Sequence, residues 1–287
     1  MASTAGRPRQ LGWWLGWVVL LTLLFAQPLF RLLVYASGTD LHSHIPLVPA
    51  IAGYLLYIDQ RWRTLTGRRS LVAAALAGAV ALGALAAVVL WRGTLSLNDD
   101  LALTTLAYLS LVVAGGFLFL GPASVRAAAF PLGFLIFTIP LPDGAVHWLE
   151  MASTRASAEV SALLFNIAGT PLVRNGPVFE LPGIVLEVAR ECSGIRSSWA
   201  LFITSVLAAH MFLRSPWRRI ALVAFVIPLG IVRNAFRILV IGLLCVHVGP
   251  HMIDSLIHRR GGPFFFVLSL VPLFLLLWWL RRRERAA

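Results

Sequence analysis

Apolar positions along this chain gather into long runs separated by short polar stretches. Eight runs stand out, at about 11–35, 45–59, 71–91, 101–121, 127–141, 196–213, 220–248 and 264–280. A helix rising 1.5 Å per residue needs ~20 apolar residues to cross ~30 Å of hydrocarbon. Most of the runs meet that length. The second and fifth are short and are expected to tilt or re-enter. The pattern predicts an all-α polytopic membrane protein with about eight transmembrane helices.

The longest stretch outside the runs is 142–195, and its pattern changes twice. "HWLEMASTRASAEVSALLFNIAG" carries apolar residues at roughly helical spacing and predicts a helix lying along the membrane interface. "VFELPGIVLEV" alternates apolar and acidic residues around Pro182–Gly183 and predicts a short β-hairpin. No repeat or long low-complexity tract interrupts the runs. A single membrane-embedded domain over 1–287 is therefore expected, with 142–195 as its extracytoplasmic segment.

Composition agrees with the membrane assignment. Hydrophobic residues make up 59% of the 287 positions, and the mean hydropathy is +0.84. The net charge of +12 would suit a nucleic-acid partner, but its placement argues otherwise. All 24 basic residues are Arg, and most sit at the ends of apolar runs, where they set orientation. Arg7, Arg9, Arg61, Arg63, Arg68, Arg69, Arg126, Arg214, Arg218, Arg219, Arg281, Arg282, Arg283 and Arg285 fall on one side. The positive-inside rule makes that side the cytoplasm and both termini cytoplasmic. Ten of the 12 acidic residues and most of the histidines then fall on the outer side. The first run lacks a small-residue cleavage site and reads as a span, not a signal peptide. The absence of Lys excludes Schiff-base and Ser–Lys chemistry.

The candidate chemistry is concentrated in three places. "ARECSGIRSS" puts Glu191, Cys192 and Arg196 just ahead of the sixth run. A helix N-terminus and a cation four residues on, sharing a helix face, would both stabilise a Cys192 thiolate. A small buried residue, or a disulfide with Cys245, is the plainer alternative. The seventh run carries Arg233, Asn234 and Arg237 amid apolar residues. Intramembrane Arg costs ~2.5–3.5 kcal/mol on insertion scales, so a partner or a watered cavity is expected. Helix-to-helix glue is the competing role. His258 follows in the outer loop, with Asp254 four residues earlier as a candidate orienting group. A thiolate, an imidazole and a guanidinium on one face form a kit for acyl transfer.

Several stretches resemble the exosortase/archaeosortase family of integral membrane cysteine transpeptidases. They are "SHIPLVPAIAGYLLY", "FPLGFLIFTIPLP", "ECSGIRSS", "PLGIVRNAFRILVIG" and "IHRRGGPFFF", in family order over most of the chain. The resemblance implies Cys192 as nucleophile, His258 as general acid/base and Arg237 as oxyanion or substrate-positioning group. Arg196, Asn234, Arg233, Asp254 and Glu191 are candidate supporting or substrate-binding residues. Two positions depart from the family pattern: Arg259 and Arg260 follow the His where an acidic residue is common, and Glu191 precedes the Cys where Ala is commoner.

The implied substrates are secreted proteins ending in a short motif, an apolar helix and a basic cluster. The implied acceptor is a membrane lipid or a cell-surface glycan. The expected location is the plasma (inner) membrane, with the active site on the extracytoplasmic side. No cofactor, metal or nucleic acid is expected. Two other readings remain open at the level of residues. One is a transporter or polysaccharide-export scaffold that uses the intramembrane Arg residues. The other is a metal-dependent hydrolase using His42, His44, His251 or His258 with Asp254, although no His-Glu-x-x-His spacing is present.

Overall fold

A computed structural model describes residues 7–65, 68–187, 194–254 and 262–285. Within these residues six helices are long and apolar enough to cross a membrane, and eight spans result if each of two bent pairs counts as one. The protein is a polytopic all-α membrane protein with one small sheet. The chain divides into two compact units, residues 1–143 and 144–287.

The first unit opens with α1 (Arg7–Leu24) and α2 (Ala26–Ser37). Together they occupy the first apolar run, but the axis bends by 70° between them. Pro28 lies in the first turn of α2. Its missing N–H and its ring break the ladder that would otherwise continue α1. Then come α3 (Leu47–Ile58), the single turn α4 (Arg61–Thr64), α5 (Leu71–Leu90) and α6 (Leu97–Gly115).

Two serines start the last pair. Ser70 Oγ accepts from the Ala73 N–H at the head of α5, and Ser96 Oγ accepts from the Asp99 N–H at the head of α6. Buried Ala81, Ala84 and Ala107 let α5 and α6 approach closely. The tryptophans of α1 fasten it to α6. Trp17 Nε1 donates to the Leu111 carbonyl at 3.0 Å, and a Cβ on Gly115 would fall 2.2 Å from the Trp17 ring.

A short α7 (Pro122–Ala127) leads into the fifth apolar run, which resolves into α8 (Ala129–Phe134) and a 3-10 turn over Leu135–Thr138. Proline and glycine at 131, 133 and 140 keep this stretch from forming one straight helix. Asn98 pins its end. The side chain donates to the Leu141 carbonyl at 2.6 Å and to the Asp143 carboxylate at 2.8 Å.

The second unit begins with α9 (Asp143–Ile167), which covers the predicted interfacial helix. Thr154, Ser157, Ala158, Ser161 and Phe165 form its buried stripe at helical spacing. The predicted hairpin is present and gains a strand. Strands β1 (Val173–Asn175), β2 (Val178–Leu181) and β3 (Ile184–Glu187) form an antiparallel meander in the order β1-β2-β3. Pro182–Gly183 makes the β2–β3 turn, with Gly183 at φ +82°, a conformation open to glycine and costly for other residues. Arg174 grips Glu159 of α9 through both guanidinium nitrogens at 2.7 and 2.8 Å. That hydrogen bonding holds the Arg174 guanidinium above its ordinary pKa.

The unit ends in α10 (Ile195–Phe212), α11 (Pro216–His247) and α12 (Gly262–Arg285). Two apolar cores lie along α11. Leu222 and Val226 join Leu201, Leu213, Leu273 and Leu277 from α10, α12 and the α10–α11 link. Ile238 joins Phe165, Phe179 and Leu186 from α9 and the sheet.

Candidate active site

Between those two cores, α11 carries its polar residues inward. Arg233 is 7% exposed and Asn234 is 2% exposed. Gly230, Arg233, Asn234 and Arg237 share one face through their three- and four-residue spacing. Facing them is the start of α10, where Gly194 occupies the N-cap position with φ +70° and ψ 8°.

One guanidinium nitrogen of Arg233 closes this junction. Its Nη2 donates to the Gly194 carbonyl and to Ser198 Oγ, both at 3.0 Å. The same carbonyl accepts the Ser198 N–H at 3.0 Å and the Ser197 hydroxyl at 3.1 Å. Among the described residues, the partner that sequence reasoning expected for an intramembrane Arg is therefore a backbone carbonyl and a serine, not a carboxylate. Neutral oxygens satisfy part of the fork and leave the positive charge in place. Among the described residues Arg233 Nη1 and Asn234 Nδ2 have no hydrogen-bond partner. The junction thus keeps buried donors in reserve.

Close contact explains the small residues here. A Cβ at Gly194 would stand 3.0 Å from Asn234 Oδ1 and 3.3 Å from Arg233 Nη2. A Cβ at Gly230 would stand 2.7 Å from Ser198 Oγ. Sequence reasoning did not single out Gly194, Ser198 or Gly230, although all three lie inside the quoted stretches. The available signal was a small residue beside each polar one. Only the pairing of α10 with α11 shows its purpose.

Arg237 lies one turn beyond Arg233 on α11 and is half-buried. Its neighbour Phe236 meets Phe265 of α12 edge-on, with ring centroids 6.4 Å apart. Arg196 is exposed on the first turn of α10. Helix α10 starts at Ile195 after a left-handed Gly194, and the helical face argued for Arg196 and Cys192 falls partly outside the described residues. Asp254 closes a 3-10 turn over Pro250–Asp254. Glu191, Cys192 and His258 lie outside the described residues. Cys245 is a buried free thiol.

For the metal reading, no group of three His, Cys, Asp or Glu among the described residues is arranged to hold an ion. Of the histidines named for it, His42 is buried, and His44 Nε2 lies 3.2 Å from the Phe137 carbonyl oxygen.

Comparison with known proteins adds one result. The family model for transmembrane exosortases (Exosortase_EpsH) matches residues 35–275, a range that includes parts of both units. Neither the curated proteins nor the solved structures contain a match. A match over most of the chain, together with a polytopic helical fold, establishes that this protein belongs to the transmembrane exosortase family.

Proposed function

We propose that the chain is a membrane cysteine protease-transpeptidase. It cleaves a C-terminal sorting tail from secreted proteins and passes the new C-terminus to an acceptor lipid or glycan on the extracytoplasmic side. The observation that carries this reading is the bond from Arg233 to the Gly194 carbonyl. Gly194 stands two residues after Cys192, and Arg237 stands one turn along from Arg233. Support from the third candidate is less direct. Phe265, seven residues after His258, packs against Phe236 beside Arg237. Described neighbours of both Cys192 and His258 thus meet the same stretch of α11.

In this reading the Cys192 thiolate adds to the scissile carbonyl carbon. The carbonyl oxygen takes up negative charge, which the permanently charged Arg237 stabilises. The intermediate collapses with cleavage of the C–N bond, and the leaving amine takes a proton from the His258 imidazolium. The thioester is then attacked by the acceptor, which gives its proton to His258 as the Cys192 sulfur departs. Arg233 and Asn234 are positioning residues that hold the chain segment leading into α10. Arg196, Asp254 and Glu191 are proposed to line the substrate path.

The test is co-expression with a secreted protein carrying a motif, apolar helix and basic tail. Wild type should shorten the substrate. Cys192→Ala should slow processing by at least ~10³-fold, the scale seen when a covalent nucleophile is removed. Unchanged processing by that variant overturns the proposal. The mass of the new C-terminus separates transfer to an acceptor from simple hydrolysis.

A further inference from the structure

The first unit holds a groove of about 670 Å³ that the proposed chemistry does not use. It forms where the α1–α2 bend meets the link between α5 and α6. Leu24, Phe25, Leu85 and Val88 give it apolar walls, and Arg31, Arg92 and Asp100 also line it. Arg31 and Arg92 are exposed, and neither side chain forms a hydrogen bond or ion pair with another described residue.

The level of the groove follows from helix lengths. The 18 residues of α1 and the 20 of α5 rise ~27 and ~30 Å, close to the thickness of the hydrocarbon layer. Both helices have arginines at their starts, Arg7 and Arg9 for α1 and Arg68 and Arg69 before α5. Both end at the groove. It therefore lies at the depth where acyl chains give way to headgroups. Two unpaired guanidiniums above an oily wall match one kind of molecule, a phosphodiester joined to acyl chains. Asp100 adds an acceptor suited to a hydroxyl-bearing headgroup.

We propose that this groove binds an anionic glycerophospholipid. The phosphate lies between Arg31 and Arg92, the headgroup hydroxyls donate to Asp100, and the acyl chains run along α1 and α5. This site is independent of the peptidase reading.

The experiment uses the purified full chain in neutral detergent. Binding of dioctanoyl phosphatidylglycerol, dioctanoyl phosphatidylcholine and glycerol 3-phosphate is measured by calorimetry or native mass spectrometry. Wild type should bind phosphatidylglycerol at least tenfold more tightly than phosphatidylcholine, and glycerol 3-phosphate should not displace it. Arg31→Gln/Arg92→Gln should weaken phosphatidylglycerol at least tenfold. Arg31→Lys/Arg92→Lys should keep most of the binding, and Arg69→Gln, away from the groove, should bind as wild type does. Equal binding by the Gln double variant overturns the proposal. So does equal affinity for the two lipids, displacement by glycerol 3-phosphate at similar concentration, or an equal loss in Arg69→Gln. Should the Gln pair fail to fold, the Lys pair and Asp100→Asn decide. Phosphatidylglycerol affinity unchanged in Asp100→Asn, or no preference over phosphatidylcholine in the Lys pair, would then refute it.

Discussion

The Gly194 carbonyl accepts three hydrogen bonds, and one of them comes from Arg233, 39 residues further along the chain. At this junction geometry matters more than charge. Lys at 233 would keep a cation with donors enough for both contacts, which one nitrogen makes here, but its ammonium ends one bond short of Nη2 and would reach them poorly. Displacements of ~1 Å near reacting groups cost up to ~10²-fold in rate. Arg233→Gln is expected to lower kcat ~10–100-fold with KM nearly constant, and Arg233→Lys to fall between it and wild type. Alkylation of Cys192 in unsubstrated protein should change in parallel. An Arg233 that served only as glue would lower the melting temperature and leave the surviving kcat unchanged. Gly194→Ala should be worse than its size suggests. It adds the ~1–2 kcal/mol cost of a left-handed L-residue to a contact 3.0 Å from Asn234 Oδ1.

At the scale of elements, the link between α10 and α11 shows how a helix end is satisfied at a distance. Ser215 is the N-cap of α11, but its side chain makes no capping bond. Glu284, near the end of α12, supplies the acceptor. Its two carboxylate oxygens take the N–H groups of Arg214 at 2.8 Å and Ser215 at 2.6 Å, and Arg218 lies 3.3 Å away. A charged acceptor at a helix start also matches the positive end of the helix. Glu284→Ala leaves the Arg214 and Ser215 N–H groups without this acceptor and should lower the melting temperature of the second unit. Glu284→Gln should cost less. Thermal unfolding in detergent checks both. Only Glu284's position among basic residues was legible in the sequence, because an acceptor 69 residues from the N-cap that it serves has no local signature. The β2–β3 turn is the opposite case. Pro182–Gly183 announced it, since both residues act through their own backbone dihedrals.

For the whole molecule, orientation is the property that rests most directly on charge. From the Arg clusters we propose that residues 61–69, 126 and 214–219 are cytoplasmic and that the α5–α6 link is outside. Fusions of a phosphatase that folds only outside the cytoplasm should be active after Gly93 and inactive after Arg214. The reverse pattern would turn the molecule over and carry Cys192 to the wrong face. The first apolar run shows how far such one-dimensional reasoning extends. Its length fits one span over 11–35, yet the axis turns 70° at Phe25. Pro28 was visible, but the sequence does not say that this proline bends the run enough to form a groove.

The sequence alone determined the membrane class, the positions of most spans, the β2–β3 turn and the residue types proposed for the chemistry. Each of these depends on transfer to hydrocarbon or on backbone preference, which act on neighbouring residues and leave a readable period. Tertiary structure alone decided that Arg233 meets Gly194 and Ser198, that Gly230 leaves room for Ser198, and that Glu284 caps α11. Those contacts join residues 32 to 70 positions apart. They arise from helices packing at touching distance, and no periodicity within a single helix records which neighbour it will touch.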